Sequence, residues 1–118
     1  MKIFLICTIR TATEKDKKEL WSYVNQLEKE GHEVHYPPRD TKQDQRGYEI
    51  CRDNMRAIKN ADEVHIVYNS RSSGTHFDMG IAFAFKKTVK VVNSLNFDPN
   101  KKSFARMLTD WQKKRRFL

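Results

Sequence analysis

The sequence has few cysteines and no long apolar run. Cys7 and Cys51 fit no metal-binding or redox spacing, which indicates free thiols in a reducing cytoplasm and makes a disulfide between them the less favoured alternative. No apolar stretch approaches the roughly 20 residues that a membrane span needs, so we expect no membrane insertion. Residues 1–7 are too short and too strand-like for a secretory signal. The sequence therefore predicts a cytoplasmic protein.

The motifs of several common enzyme classes are also missing. The sequence contains neither the GxxxxGK[ST] of phosphate-binding loops nor the GxGxxG of dinucleotide-binding folds. It contains no GxSxG nucleophile elbow and no histidine–cysteine pair at zinc spacing. We therefore expect no metal ion and no cofactor.

Size and charge predict a single small domain over residues 1–118. The apolar fraction of 38% and the charged fraction of 32% are typical of a modest core with a charged surface. Residues 1–85 hold thirteen Lys and Arg against thirteen Asp and Glu, whereas residues 86–118 hold ten against two. This basic end is either a solvated face with a tail at 113–118 or a surface for a polyanion. Exposed aromatics do not interleave with the basic run, so we expect no nucleic-acid partner.

Hydrophobic periodicity predicts strands that alternate with helices. Such an alternation indicates βαβ units with right-handed crossovers, and hence a parallel sheet. With the first strand central, we predict a small doubly wound, flavodoxin-like α/β sheet of order 2-1-3-4. Helices should cover both faces, and a further helix should end the chain. The predicted strands are 2–7, 32–36, 63–68 and 88–93, and the predicted helices begin near Thr13 and cover 48–59, 75–85 and 103–114.

Helical spacing also predicts which side chains face the core. The polar segment 39–46 is expected to be a loop without a core residue. The core-facing residues of three helices are Leu20, Trp21, Val24 and Leu27, then Cys51, Met55 and Ile58, then Phe104, Met107, Leu108 and Trp111.

Three predicted loops meet at the carboxyl ends of the strands, where sheets of this kind bind ligands. They are 8–13, 37–44 and 69–78, and their hydroxyls and arginines suit a phosphate group. Asp78 is placed in the first turn of helix 75–85, beside free backbone N–H groups. The alternative is that Asp78 is a capping residue at the third position of a helix capped by Thr75.

Residues 72–82, Ser-Ser-Gly-Thr-His-Phe-Asp-Met-Gly-Ile-Ala, resemble the signature of the nucleoside 2-deoxyribosyltransferases and their mononucleotide N-glycosidase relatives. There a glycine-containing turn leads to an aromatic or aliphatic residue, the catalytic glutamate, an aliphatic residue and glycine. Thr8-Ile9-Arg10 resembles the Ser-Ile-Arg of the deoxynucleoside 5′-monophosphate N-glycosidase branch. Segments 31–40 and 53–62 resemble the family's second strand with its Pro-x-Asp loop and the helix before the catalytic turn. The resemblance covers roughly residues 1–95.

The resemblance implies that Asp78 replaces the glutamate that attacks or stabilises C1′ while the glycosidic bond breaks. It also implies that Asn54 lies near the base and sugar, that Asp40 lines the sugar side, and that the first and third loops hold a 5′-phosphate or 5′-hydroxyl. The substrate-binding residues implied in this way are Thr8, Ile9, Arg10, Asp40, Asn54, Ser72, Gly74 and Thr75.

Two residues depart from the family pattern. Asp78 is one methylene shorter than glutamate, so its oxygens stop on the order of 1.5 Å short unless the backbone moves inward. Asn54 replaces an aspartate and cannot act as an acid. The site is therefore either rearranged for another substrate or weakened in its chemistry.

Three hypotheses of function follow. The first is an enzyme that cleaves or transfers the N-glycosidic bond of a small-molecule (deoxy)nucleoside or its 5′-monophosphate. The second is a non-catalytic nucleotide-binding module. A phospho-receiver is disfavoured because no acidic pair follows the first strand and no lysine ends the fourth. The nearly all-apolar segment 77–85 and the family resemblance together predict a homodimer or larger homo-oligomer.

Overall fold

The computed structural model describes residues 1–114, and Arg115 and Arg116 of the predicted basic tail lie outside the described residues. Its elements in chain order are β1 Lys2–Ile6, α1 Glu14–Lys29, β2 Glu33–His35, α2 Pro37–Asp40, α3 Gly47–Asn60, β3 Glu63–Ile66, α4 Ser73–Ala84, β4 Thr88–Val91 and α5 Phe104–Lys113. The strands form one sheet of order β2-β1-β3-β4, and each neighbouring pair is parallel. This confirms the predicted fold class and strand order.

The alternation of side chains along β1 divides the core into two layers. Phe4 and Ile6 pack with residues of α3, α4 and α5 on one face, whereas Ile3 and Leu5 pack with residues of α1 on the other. Successive side chains of a strand point to opposite faces of the sheet. A central strand covered on both faces therefore needs apolar residues throughout, which explains the unbroken apolar run of β1.

The ends of α1 follow the prediction. Thr13 Oγ1 accepts the N–H of Asp16 at 3.1 Å, and Asp16 Oδ2 accepts the N–H of Thr13 at 3.0 Å. These two bonds make a capping box, which satisfies donors that the helix leaves unpaired. Gly31 follows the helix with a φ of +94°, a left-handed conformation that favours glycine.

Three residues predicted to face the core do not. Trp21, Met55 and Phe104 are 45%, 36% and 56% exposed, so these predictions are wrong. In each case a sequence neighbour is buried instead, for example Leu20 beside Trp21 and Asn54 beside Met55. Neighbours differ by about 100° around a helix, and the sheet covers only one stripe of it. Apolar periodicity alone did not determine which of two adjacent residues faces the sheet and is buried.

The predicted core-free loop at 39–46 is also wrong. Residues Pro37–Asp40 form the short helix α2, and Thr41 behind it is buried. Proline favours the first turn of a helix because its φ is already close to the helical value. Burial of Thr41 is tolerated because its hydroxyl is hydrogen-bonded to His35 and to Asn54.

Helix α5 packs beside β4. Ser103 Oγ caps it by accepting the N–H of Arg106 at 3.0 Å, and Ala105, Leu108 and Trp111 are buried. The indole Nε1 of Trp111 donates to the carbonyl oxygen of Lys87 at 3.1 Å, which ties the helix to the strand entry. Neither α5 nor any other helix within residues 1–114 combines the length and apolar character needed to cross a membrane.

Candidate active site

Helix α4 begins two residues earlier than predicted. Ser72 is its N-cap, because Ser72 Oγ accepts the N–H of Thr75 at 3.2 Å and the carbonyl oxygen of Ser72 accepts the N–H of His76 at 3.3 Å. Serine is among the strongest N-cap residues. Asp78 therefore lies in the second turn. Its predicted place in the first turn is wrong, and so is the alternative that it caps the helix.

The start of α4 presents free backbone donors. The N–H groups of Ser73 and Gly74 precede the first helical hydrogen bond, and both residues are exposed. A Cβ built at Gly74 would meet no atom within 4 Å, so the approach to these amides is open. Free amides at the positive end of a helix suit an anion. Ser72 and Gly74 thus lie at the positive end of α4, and their contact with a phosphate stays a prediction.

The carboxylate of Asp78 has no protein partner in the part of the chain that the structure describes. The residue is partly buried, and within residues 1–114 its oxygens accept no hydrogen bond and form no ion pair. Burial raises the pKa of Asp78 from 3.8 to about 7. Burial raises the pKa of the Cys7 thiol to about 12, and the charge of Asp78 adds to this increase. Cys7 therefore lies close to Asp78. Asp78 therefore lies near the carboxyl end of β1 with its charge uncompensated.

Two hydroxyls near Asp78 are also unpaired. Thr75 lies one turn before Asp78 on the same side of α4, and Thr8 directly follows Cys7. Thr75 Oγ1 and Thr8 Oγ1 are both buried and have no hydrogen-bond partner among the described residues. Such groups are rare in native proteins, where a bound molecule or ordered water normally satisfies them. The structure thus brings Thr8, Thr75 and Asp78 to one end of the sheet.

Ile9 and Arg10 complete the first loop. Arg10 is exposed and forms no ion pair within residues 1–114, and the nearby Glu14 pairs instead with Lys17 at 3.4 Å. Ile9 lines a cleft of about 260 Å³ that also contains Thr8. The guanidinium of Arg10 is therefore free to bind an anion beside the end of β1.

Asn54 is buried, and a chain of hydrogen bonds orients its amide. The Thr41 hydroxyl donates to Asn54 Oδ1 at 2.7 Å. Because this uses the only proton of the hydroxyl, Thr41 Oγ1 must accept from His35 Nε2, 2.8 Å away. The Asn54 amino group has no partner within residues 1–114 and offers N–H donors, where an aspartate would offer only acceptors. Thr41 and His35 were not found from the sequence, since no periodic pattern links a strand, a turn and a helix.

Asp40 is not brought together with Asp78. Its Oδ2 accepts the N–H of Tyr36 at 2.8 Å, and its Oδ1 accepts from Arg39 Nε at 2.8 Å. Burial alone would raise the pKa of Asp40, but these hydrogen bonds outweigh it and lower the pKa. The residue lines a cleft of about 410 Å³ with Lys2, at the amino end of β1. In this chain Asp40 stabilises the turn after β2, and its contact with a sugar stays a prediction.

Tyr68 and His76 form a further polar pair at the start of α4. His76 Nδ1 lies 2.7 Å from the carbonyl oxygen of Ser72, which can only accept, so Nδ1 carries a proton. In the neutral ring Nε2 then accepts the Tyr68 hydroxyl proton at 2.9 Å. This pair was missed because its members meet only when the end of β3 and the start of α4 lie side by side.

The assembled groups divide into two kinds. The amides of Ser73 and Gly74, with Arg10, can bind an anion. One helical turn further on, Asp78 offers a carboxylate that no donor of residues 1–114 neutralises, and such a group favours positive charge on a neighbouring molecule. Among the described residues no three His, Cys, Asp or Glu side chains are grouped in a way that could hold a metal ion.

Comparison with known families identifies the chain. The family model described as nucleoside 2-deoxyribosyltransferase matches residues 6–107. The chain belongs to the nucleoside 2-deoxyribosyltransferase family. This confirms the resemblance seen in the sequence, and the matched segment contains every predicted site residue of the family signature. No curated protein matches the sequence.

Two solved structures share the fold of this family member. The CMP N-glycosidase BcmB of Clostridium botulinum superimposes with a TM-score of 0.63 at 24% identity, over 77% of this chain and 70% of that one. A 2-deoxyribosyltransferase from Bacillus psychrosaccharolyticus superimposes with a TM-score of 0.69 at 18% identity, over 100% of this chain and 93% of that one. At these identities the likeness establishes the common fold.

The uncompensated charge of Asp78 predicts a stability effect. In the unfolded chain the carboxyl ionises near pH 3.8, and in the folded chain it ionises near pH 7. Between these values the folded state binds the extra proton, so stability falls as the pH rises through this window. Asp78→Asn should therefore raise the free energy of unfolding at pH 8.5 by on the order of 2 kcal/mol, a figure reduced for screening by water.

Urea unfolding at pH 4 and at pH 8.5 measures this effect. The gain should appear at pH 8.5 and largely vanish at pH 4, where the carboxyl of Asp78 is protonated in the folded chain. Asp44→Asn, which removes an exposed carboxylate from a loop, is the matched control. A loss of stability in Asp78→Asn at pH 8.5 would contradict the absence of a partner for this carboxylate.

Proposed function

We propose that the protein cleaves or transfers the N-glycosidic bond of a (deoxy)nucleoside or its 5′-monophosphate, with Asp78 acting at C1′. The observation that carries this proposal is the partly buried, unpartnered carboxylate beside the two unpaired hydroxyls of Thr8 and Thr75. Membership of the family supports the reaction class. The names of the two structural neighbours, a CMP N-glycosidase and a 2-deoxyribosyltransferase, support the substrate class.

The chemistry requires a carboxylate that can face a cation. When the base leaves with the electron pair of the C1′–N bond, positive charge spreads over C1′ and the ring oxygen. An ionised carboxylate stabilises that charge best when no other donor shares it, which is the situation of Asp78. The carboxylate either bonds to C1′ or holds the cation until water or a second base adds there. The leaving base takes up one proton to balance the reaction.

The other end of the substrate would lie at the start of α4. The amides of Ser73 and Gly74, the Ser72 cap and Arg10 suit a 5′-phosphate, and the net charge of +8 favours the approach of anions. Asp78 lies four residues after Gly74, which is about 6 Å along a helix. That spacing is comparable to the reach from a 5′-phosphate across a sugar to C1′.

Asn54 would discriminate among substrates by hydrogen bonding. Its oxygen is held by Thr41, so its amino group is the part that can contact a ligand. We propose that it donates to an oxygen of the sugar or base. A substrate without an acceptor at this point would leave a buried donor unpaired, which is unfavourable by about 1–3 kcal/mol.

A nucleotide-binding module without catalysis is the second candidate. One observation favours it: a pKa of about 7 leaves about half of the Asp78 carboxyl groups neutral at neutral pH. The shorter side chain acts in the same direction, because misplacement of a catalytic group by about 1 Å can slow a reaction on the order of 100-fold.

Release of free base separates the two candidates. The parent protein, incubated with a panel of nucleosides and 5′-monophosphates and followed by chromatography, should release a base from at least one of them. Asp78→Asn should slow that release on the order of 100-fold or more, because the neutral amide cannot stabilise the cation. Asp44→Asn should release base at the parental rate.

The variant Asp78→Glu tests whether the shorter side chain of aspartate is what prevents catalysis. If the parent binds nucleotides without releasing base, and Asp78→Glu gains release, the protein is a binding module whose carboxylate is too short. Parental rates in Asp78→Asn would remove Asp78 from the mechanism altogether.

The dependence of the rate on pH reports the state of Asp78. A carboxylate that faces a cation must be ionised, so kcat/KM should rise with pH and level off above about 7. A nucleoside is the suitable substrate for this measurement, because a phosphate has its own ionisation near pH 6. A rate that falls between pH 6 and 8 would instead indicate that protonated Asp78 acts as an acid.

We also propose that the protein is a homodimer whose partner subunit covers the site. Phe77, which precedes Asp78, is 51% exposed, and Tyr48 on α3 is 78% exposed. Met55 lies two turns after Tyr48 on the same side of α3, and α3 packs beside α4. These side chains form an exposed apolar surface next to Asp78, and such surfaces mark interaction sites.

Light scattering tests the assembly. The parent protein should elute as a dimer, and Phe77→Lys should shift it to the monomer because a charge would be buried at the centre of the contact. Trp21→Lys, an exposed aromatic of α1 across the sheet, should remain dimeric. A parent protein that is monomeric at tens of micromolar would exclude this arrangement.

A further inference from the structure

A groove opens between α4 and α5, away from the candidate active site. Its volume is about 370 Å³, and its apolar walls are formed by Phe83 of α4 and by Met107 and Trp111 of α5. Around α4, Phe83 is about 140° from Asp78 and about 120° from Phe77, the residue of the proposed dimer contact. The α4–α5 groove is therefore a separate surface.

The charged residues of this groove form one line along α5. Lys102, Arg106, Asp110 and Lys114 all line the groove and follow one another at intervals of four residues, a spacing that keeps side chains on one side of a helix. The carboxylate of Asp110 lies 3.5 Å from Nε of Arg106. Three basic groups against one paired acid leave the rim of the groove positive.

Aromatic side chains are exposed along the same line of contact between the two helices. Phe83 is 46% exposed, and its ring meets the ring of Trp111 edge-on with the centroids 5.2 Å apart. Phe104, at the start of α5, is 56% exposed, and its ring centroid lies 4.8 Å from that of His76 on α4. Exposed apolar surface bordered by charged groups is typical of an interaction site.

The shape and charge of the groove restrict its partner. A two-fold contact with a second copy would place the positive rim against itself. Single-stranded nucleic acid needs open ring faces for stacking, but Trp111 is only 4% exposed. A helix that lies on a membrane turns its apolar side outward, whereas α5 buries Ala105, Leu108 and Trp111. A protein segment that carries carboxylates beside an apolar side chain fits all three observations.

We propose that the α4–α5 groove binds a short acidic segment of another protein. An apolar side chain of the segment packs against Phe83 and Met107, and its carboxylates pair with Lys102 and Lys114. Basic clusters commonly recognise acidic motifs, and a central apolar anchor supplies most of the affinity. The inference goes beyond the proposed activity, because it involves neither Asp78 nor the start of α4. It assigns the basic end of the chain to a polyanionic partner.

Two peptides that differ only in charge are the probes. The acidic peptide is Glu-Glu-Leu-Phe-Glu-Glu-Leu-Leu-Glu-Glu, and in the neutral peptide Gln replaces every Glu. At 14.0 kDa the protein suits NMR titration, and the acidic peptide should shift the amide signals of Phe83, Met107 and Trp111. It should bind on the order of 10-fold more tightly than the neutral peptide, because its carboxylates meet the positive rim. This difference should shrink at about 0.5 M salt.

Charge reversal at the rim tests the location. Lys102→Glu combined with Lys114→Glu should weaken the acidic peptide on the order of 10-fold and leave the neutral peptide unchanged. Lys15→Glu combined with Lys42→Glu lowers the net charge equally at two exposed positions outside the groove and should retain the parental affinity. Phe83→Ala should weaken both peptides. If that variant does not fold, the rim variant still decides, because Lys102 and Lys114 are exposed.

Several results would overturn the proposal. They are equal affinity for the two peptides, an equal loss in the two charge variants, and signal changes confined to α1 or to the start of α4. Binding of phosphatidylglycerol vesicles or of an oligothymidylate that the rim variant loses, without peptide binding, would assign the groove to a lipid surface or to nucleic acid. A change of oligomeric state in Phe83→Ala would assign it to a second copy. None of these depends on release of base from a nucleotide, so this inference and the proposed activity can fail separately.

Discussion

Partial burial of the Asp78 carboxylate, without a hydrogen-bond partner among the described residues, is the constraint on which the site depends. Met79 and Ala82, which follow on the same helix, are part of the core between α4 and the sheet, and their packing holds Asp78 at the edge of that core. Water solvates the carboxylate poorly there, which is why its pKa rises to about 7. The apolar contacts of α4 therefore hold the Asp78 carboxylate where its negative charge is poorly solvated, and there it could stabilise a cationic reaction centre.

The choice of helix cap decides how the polar groups at the start of α4 are used. With Ser72 as the cap, the Thr75 N–H is satisfied, whereas within residues 1–114 the Thr75 hydroxyl stays unpaired and the first two amides stay free. A helix capped by Thr75 would have placed Asp78 at the third position, where a carboxylate bonds the backbone. With a cap at Thr75, Asp78 would bond the backbone of the helix. With the cap three residues earlier, at Ser72, the carboxylate of Asp78 stays available to a ligand.

Much of the fold could be predicted from local patterns. The capping box of Thr13 and Asp16, the glycine that ends α1 and the alternation of strands with helices each depend on neighbours in sequence. Trp21 and Asn54 show the limit of such patterns. Helical spacing placed Trp21 in the core, yet the sheet covers the adjacent stripe. Helical spacing predicted no structural role for Asn54. The hydroxyl of Thr41, in the turn after β2, nevertheless makes the burial of Asn54 possible.

The sequence by itself determined the order of elements, the parallel sheet, the family and the acidic residue near the start of α4, because each of these depends on residue types at short spacing. The tertiary structure alone decided which polar groups of the candidate site are satisfied. The pairing of Thr41 with Asn54 and the isolation of Asp78 both arise from the way distant segments pack together. Desolvation and hydrogen-bond direction depend on the whole surroundings of a group, and spacing along a chain does not encode them.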